Sequence, residues 1–238
     1  MELTEKLTEL TIKDGRNNLI AVTGGGGKST LMSLFGRHLA DRGMSVLITT
    51  TTKVQSPTYY DWKQNRTFLE ESLVLSADPL KGSLDFYAER NWMDTKKVMS
   101  PRPEILEVLK SRYDVTIYEA DGSRGLPLKI HTERDPVILD GTTGTIAVMG
   151  AQGILETVYE VTFGDGDPCL VDGAYMEYYL SDPEGLTKGM LPGKDNVILV
   201  NSYETIDERK KALLEEVKWP CPAVFCSERE NETYEFVS

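Results

Sequence analysis

Cysteine and histidine are scarce, with three of the first and two of the second in 238 residues. Cys169, Cys221 and Cys226 show no two-residue spacing. That leaves no redox or metal motif and no disulfide scaffold, and points to a reducing compartment, the cytoplasm. His38 and His131 stand far apart, so no Cys/His cluster offers a structural zinc site. Long apolar runs are missing too: nothing approaches the ~20 residues of a membrane span. The start carries Glu2, Glu5 and Glu9 among its leucines, where a secretory leader needs a basic start and then an apolar block. Positive charge is also in deficit. Lys and Arg total 26 against 38 Asp and Glu, for a net charge of −12. Such a field repels nucleic-acid phosphates and excludes DNA or RNA as the main partner. It repels a free nucleotide as well. Any triphosphate site in this chain must therefore concentrate positive potential locally, through backbone N–H groups, a lysine and a bound cation.

What is present is an ordinary globular composition, 40% hydrophobic and 27% charged. The length suits one large α/β domain spanning residues 1–238. Leu3, Leu7 and Leu10 recur at helical spacing. Leu19–Val22 is a short apolar run entering glycines and reads as a buried strand. Leu31, Leu34, Phe35 and Leu39 mark one face of a helix that Gly43 is placed to end. Further strands are expected over Val46–Ile48, Val115–Tyr118, Thr145–Met149, Asn196–Val200 and Ala223–Phe225. Helices are expected after Pro103 and through Ile206, Leu213, Leu214 and Val217. This alternation predicts a mainly parallel sheet with helices on both faces. Residues 54–102 break the rhythm and read as an irregular insertion with one or two extra strands.

Chemistry concentrates first at the strand–glycine–helix junction Thr23-Gly24-Gly25-Gly26-Gly27-Lys28-Ser29-Thr30. Glycines let the backbone close around a phosphate, and the amides between Gly24 and Ser29 are expected to curl into an anion nest. The following helix adds its dipole, Lys28 reaches the β- and γ-phosphates, and Ser29 ligates Mg²⁺. The usual first glycine, six places before the lysine, is Val22 here. The plainer reading is a flexible turn with a chance lysine, but the flanking strand and helix argue for a phosphate loop.

The second signal is Glu119-Ala120-Asp121-Gly122 at the end of a buried strand, where ligands gather in open α/β sheets. Either carboxylate can hold Mg²⁺ or orient an attacking water, and the residues alone do not separate the two roles. The third is Thr49-Thr50-Thr51-Thr52-Lys53, in which Thr50 is a further candidate metal ligand or simply a strand-end hydroxyl. Arg124 and Lys129 are candidates for phosphate or a second substrate. Asn201-Ser202-Tyr203-Glu204 keeps only the asparagine of the guanine-reading Asn-Lys-x-Asp pattern, so ATP and GTP both stay open.

Taken together, Val22–Thr30, Thr49–Lys53 and Glu119-Ala120-Asp121-Gly122-Ser123-Arg124-Gly125-Leu126-Pro127-Leu128-Lys129 resemble the YqeC family. Leu191-Pro192-Gly193 and the strand into Asn201 continue the similarity of order. The resemblance implies a P-loop fold similar to nucleoside triphosphate hydrolases. It also implies an accessory role in maturing a selenium-dependent molybdenum hydroxylase or its cofactor, with that enzyme or its cofactor-handling proteins as partners. Within that role the catalytic candidates are Lys28, Glu119 and Asp121. The phosphate cradle is Thr23 through Thr30, and the Mg²⁺ ligands are drawn from Ser29, Thr50, Glu119 and Asp121. Two alternatives stand beside it. The loop also resembles that of the Mur ligases, which are larger, so a ligase or small-molecule kinase is one. A nucleotide-gated interaction protein without hydrolysis is the other.

Overall fold

The computed structural model describes residues 1–15, 17–91 and 93–238. Its frame is a nine-stranded sheet. In chain order the strands are β1 (Asn18–Gly24), β2 (Val46–Thr50), β3 (Arg66–Phe68), β4 (Leu84–Tyr87), β5 (Val115–Glu119), β6 (Gly144–Gly150), β7 (Asp195–Asn201), β8 (Ala223–Ser227) and β9 (Glu232–Val237). In space they run β9-β8-β7-β6-β1-β5-β2-β4-β3. Every pairing is parallel except β8 with β9. The helices are α1 (Leu3–Thr11), α2 (Lys28–Asp41), α3 (Glu71–Ser76), α4 (Pro103–Leu109), α5 (Gly173–Ser181) and α6 (Glu208–Glu216), with a single turn at Val158–Val161.

The central strands β1, β2, β5 and β6 are buried along their whole length because both faces of the sheet are covered there. Ile20, Val22, Val115, Ile117, Ile146 and Val148 point to the side covered by α1 and α2, where they meet Leu3, Leu7, Leu31 and Phe35. The residues between them point the other way: Ala147, Met149, Ile198 and Val200 pack with Tyr175, Met176 and Tyr179 of α5 and Leu214 of α6. Gly43 ends α2 with a positive φ of 88°. Its amide reaches the Ala40 carbonyl and the Met44 amide reaches Leu39, the two bonds of a Schellman stop.

Residues 54–102 hold more order than an irregular insertion. β3 and β4 from this stretch extend the main sheet. Val54–Gln55, Lys97–Met99 and Glu89–Arg90 form a separate three-stranded antiparallel sheet. Fully buried Trp62 ties the stretch to the core, with Tyr60 and Phe86 at ring-centroid distances of 4.9 and 5.1 Å. Strands of two to four residues are too short to display a period, so the sequence shows only one or two of the five. Among the described residues no helix is long and apolar enough to cross a membrane.

The sheet places the chemistry. The chain leaves β1, passes over β5 to build β2, and later crosses from β5 over β1 to build β6. The loops after β1 and β5 therefore diverge at the carboxyl end of the sheet, the crevice where open α/β folds bind ligands.

Candidate functional site

The glycine loop follows the central strand and is laced to its neighbours. The Gly24 amide donates to Asp121 Oδ2 at 2.9 Å. The Gly25 amide donates to the Val148 carbonyl at 2.9 Å and the Gly26 amide to the Leu126 carbonyl at 3.0 Å. Side chains would not fit this lacing: a Cβ on Gly25 would lie 2.5 Å from Leu126 O, and one on Gly26 2.5 Å from Gly150 N. Gly26 and Gly27 also take φ values of 75° and 120°, which L-residues rarely adopt. The lacing narrows the expected nest. The first three amides serve protein acceptors, while those of Gly27, Lys28, Ser29 and Thr30 donate to nothing among the described residues. The open donors are thus the first turn of the 14-residue helix α2, where the helix dipole also favours an anion. Thr23 lies inside β1, fully buried, with its hydroxyl unpartnered. Thr30 Oγ1 accepts from Tyr60 at 3.2 Å.

Lys28 is almost wholly buried. Its Nζ donates to the Gly24 carbonyl and sits 3.0 Å from Asp121 Oδ1, 3.7 Å from Glu119 Oε1 and 3.4 Å from Ser123 Oγ. The two carboxylates around it differ. Asp121 has no exposed side-chain surface and binds His131 Nε2 at 2.6 Å in addition to the Gly24 amide. Burial alone would raise its pKa, but the Lys28 ammonium, the His131 bond and Lys129 outweigh it and hold the group at about 2. Glu119 goes the other way: burial and the Asp121 charge raise it despite Lys28. Ser29 Oγ lies 3.4 Å from Glu119 Oε2. Thr50 is occupied elsewhere, its hydroxyl closing a turn with the Thr52 carbonyl and amide and reaching the Glu119 carbonyl.

A cavity of about 530 Å³ opens above these groups. Its lining includes Gly27, Lys28, Ser29, Thr30 and Glu119. Lys53, Lys96, Lys97 and Arg124 line it as well, giving five cations beside one carboxylate in a chain of net charge −12. Asp121 and Thr50 are not among its walls. A second hollow of about 450 Å³, between α5 and the end of α6 and walled by Leu180, Leu213, Val217 and Pro220 with Glu177, Glu216 and Lys218 beside them, lies away from this chemistry.

The structure adds His131 and Glu228, which the sequence does not mark, and gives Lys129 and Asn201 other places than expected. His131 spans from Asp121 to the Gly185 carbonyl, 2.9 Å from Nδ1, and so ties the acidic turn to the loop after α5. Its place directly after the alternating apolar pair Leu128 and Ile130 was the available hint. Lys129 does not reach the cavity: it is buried against Asp135 and the Gly122 carbonyl. Asn201 Nδ2 donates to the Gly26 carbonyl at 2.7 Å, and its Oδ1 accepts from the Glu228 amide at 3.0 Å. The Glu228 carboxylate packs against Gly27, with Oε2 unpartnered. Burial pushes its pKa up to about 7.

Residues 20–163 match the model of a family described as "YqeC protein". The chain is similar to an uncharacterized protein YqeC of Escherichia coli (strain K12), with 36% identity over 137 residues. That alignment covers 57% of this chain and 52% of the relative, so the chain matches about half the length of the curated relative. No solved structure matches it.

Proposed function

Because the chain belongs to the YqeC family, we propose that it is a Mg²⁺-dependent nucleoside-triphosphate-binding protein that hydrolyses the nucleotide in service of maturing a selenium-dependent molybdenum hydroxylase or its cofactor. The hydroxylase role rests on the family resemblance. The nucleotide reading rests on one observation: four undonated amides at the start of α2 share a cation-rich cavity with Lys28, Ser29 and Glu119.

In this reading the amides of Gly27 to Thr30 hold phosphate oxygens, and Lys28 swings from the Gly24 carbonyl to meet them. No group of three or more His, Cys, Asp or Glu among the described residues can hold a metal. Ser29 and Glu119 do fit Mg²⁺, which commonly takes one or two protein oxygens and completes its shell with phosphate and water. Bound there, the ion would neutralise phosphate charge. Glu119, on the cavity wall with a raised pKa, is the group placed to orient an attacking water. Asp121, locked by Gly24, Lys28 and His131, holds the loop in shape from behind. Thr50, with its hydroxyl used in its own turn, is left out of the metal shell.

The test is thermal melting with ATP or GTP and Mg²⁺. Ligand at 100 times its dissociation constant adds ~2.7 kcal/mol. For a chain of this size that is roughly 5–11 °C. Lys28→Ala, read against its own ligand-free melting point, is expected to lose most of the shift. A full shift in that variant would place the nucleotide elsewhere. Phosphate release is expected to fall at least ~100-fold in Glu119→Gln, with the Mg²⁺-dependent part of the binding shift reduced as well. The second reading, a kinase or ligase acting on a small molecule, draws on the cations beyond Lys28 in the same cavity.

A further inference from the structure

The cavity holds more positive charge than one triphosphate requires, and the surplus stands apart from the glycine loop. Lys53 follows β2, Lys96 and Lys97 lie where a turn enters the Lys97–Met99 strand of the small antiparallel sheet, and Arg124 comes from the turn after β5. All four are exposed, and none pairs with a carboxylate among the described residues. Elsewhere this acidic chain pairs its cations readily, as in Arg66 with Asp85, Lys81 with Asp114 and Arg102 with Glu71. Arg124 is also held in place: its guanidinium lies over the Phe163 ring at 5.0 Å, and its φ of 52° fixes the turn that presents it. A triphosphate with one divalent cation carries about two negative charges, which Lys28 and the α2 amides already face. Four further cations on a concave wall repel one another unless another anion sits between them.

We propose that Lys53, Lys96, Lys97 and Arg124 form a subsite for a second ligand, a phosphorylated small molecule bound beside the nucleotide. Ammonium groups suit a phosphate dianion as point charges, and the Arg124 fork suits two of its oxygens. The subsite rests on the nucleotide reading above, since it is defined as what remains of the cavity once the triphosphate is in place.

Inorganic pyrophosphate is the probe. It is titrated calorimetrically into the full chain saturated with Mg²⁺ and a non-hydrolysable ATP or GTP analogue. One further equivalent is expected to bind with the nucleotide retained, and more weakly as salt rises. The exposed pair Lys96→Glu/Lys97→Glu is expected to weaken that second binding at least ~10-fold. The milder Lys96→Gln/Lys97→Gln and Arg124→Ala are expected to weaken it less, and all are expected to keep the nucleotide-induced melting shift. Pyrophosphate that only displaces the nucleotide, binds the charge-reversed pair as it binds the parent, or fails to saturate would overturn the subsite. If the parent shows no nucleotide shift at all, the nucleotide reading fails. The subsite, defined beside the nucleotide, then falls with it, whereas a normal nucleotide shift without second binding overturns the subsite alone.

Discussion

Asp121 and Glu228 are both carboxylates packed against the glycine loop, yet their pH signatures have opposite sign. The folded pKa of Asp121 is depressed to about 2, so its stabilisation is present above the ordinary carboxylate range and is lost as pH falls from about 4 to 2. Asp121→Asn is therefore expected to lower stability by roughly 2 kcal/mol at pH 7 and far less at pH 2.5, read from melting curves across pH. Glu228 is raised to about 7. A raised carboxyl leaves the folded state holding more protons than the unfolded one, so stability falls as pH climbs from about 4.5 to 7. Glu228→Gln is expected to gain on the order of 1 kcal/mol at pH 8, about 2–4 °C, and to gain nothing at pH 4. Equal gains at both values would mean that the carboxylate is not strained by burial. Its charge is felt by Glu204 and Cys226, both of like or potential negative sign, and is relieved by Arg229 and the Asn201 bond.

The glycine loop is the element whose spacing the sequence displayed most openly. Gly26 stands where a side chain would meet the Gly150 backbone and where φ is positive. Gly26→Ala is expected to lower the melting point by several degrees and abolish the nucleotide shift, whereas Gly166→Ala, with nothing within 4 Å, is expected to stay within ~0.5 kcal/mol of the parent. The long apolar strands β1, β5, β6 and β7 and helix α2 were equally legible, because each buries a run long enough to carry its own pattern. Three things were not. α5 mixes Tyr175, Met176, Tyr178 and Tyr179 without a clean polar face. β9 is largely exposed and turns antiparallel at the sheet edge, which no apolar run announces. The lysines of the small antiparallel sheet look in sequence like any solvated charges, and only the fold brings Lys96 and Lys97 to the same cavity as Lys53 and Arg124. Glu119 and Asp121 stand two residues apart in one motif. Their division of labour depends on which neighbour each faces, and that is a property of the packing.

At the scale of the whole molecule the two ends of the chain brace each other. The Leu3 amide donates to the Asn231 carbonyl, the Thr4 amide to the Asn231 side chain and the Thr233 amide to the Met1 carbonyl. Leu3 and Leu7 of α1 are fully buried in the core shared with α2. Burying a leucine stabilises by about 1.5–3 kcal/mol. A chain beginning at Ile12 is therefore expected to melt at least ~5 °C lower, with the nucleotide-induced shift preserved because α1 contributes nothing to the cavity lining. Loss of the shift as well would mean that α2 needs α1 to hold its first turn.

Three hydrogen bonds, from Gly25 to Val148, Gly26 to Leu126 and Gly150 to Pro127, stitch the glycine loop, the segment after the acidic turn and the tip of β6 into one plate. The outer rim of that plate is Arg124 and Gly125, both exposed to solvent. Arg124 and Gly125 also line the cavity, so a displacement of this turn passes through the Leu126 carbonyl to the backbone of Gly26. Order in the exposed turn and order in the glycine loop are thus tied through shared backbone bonds.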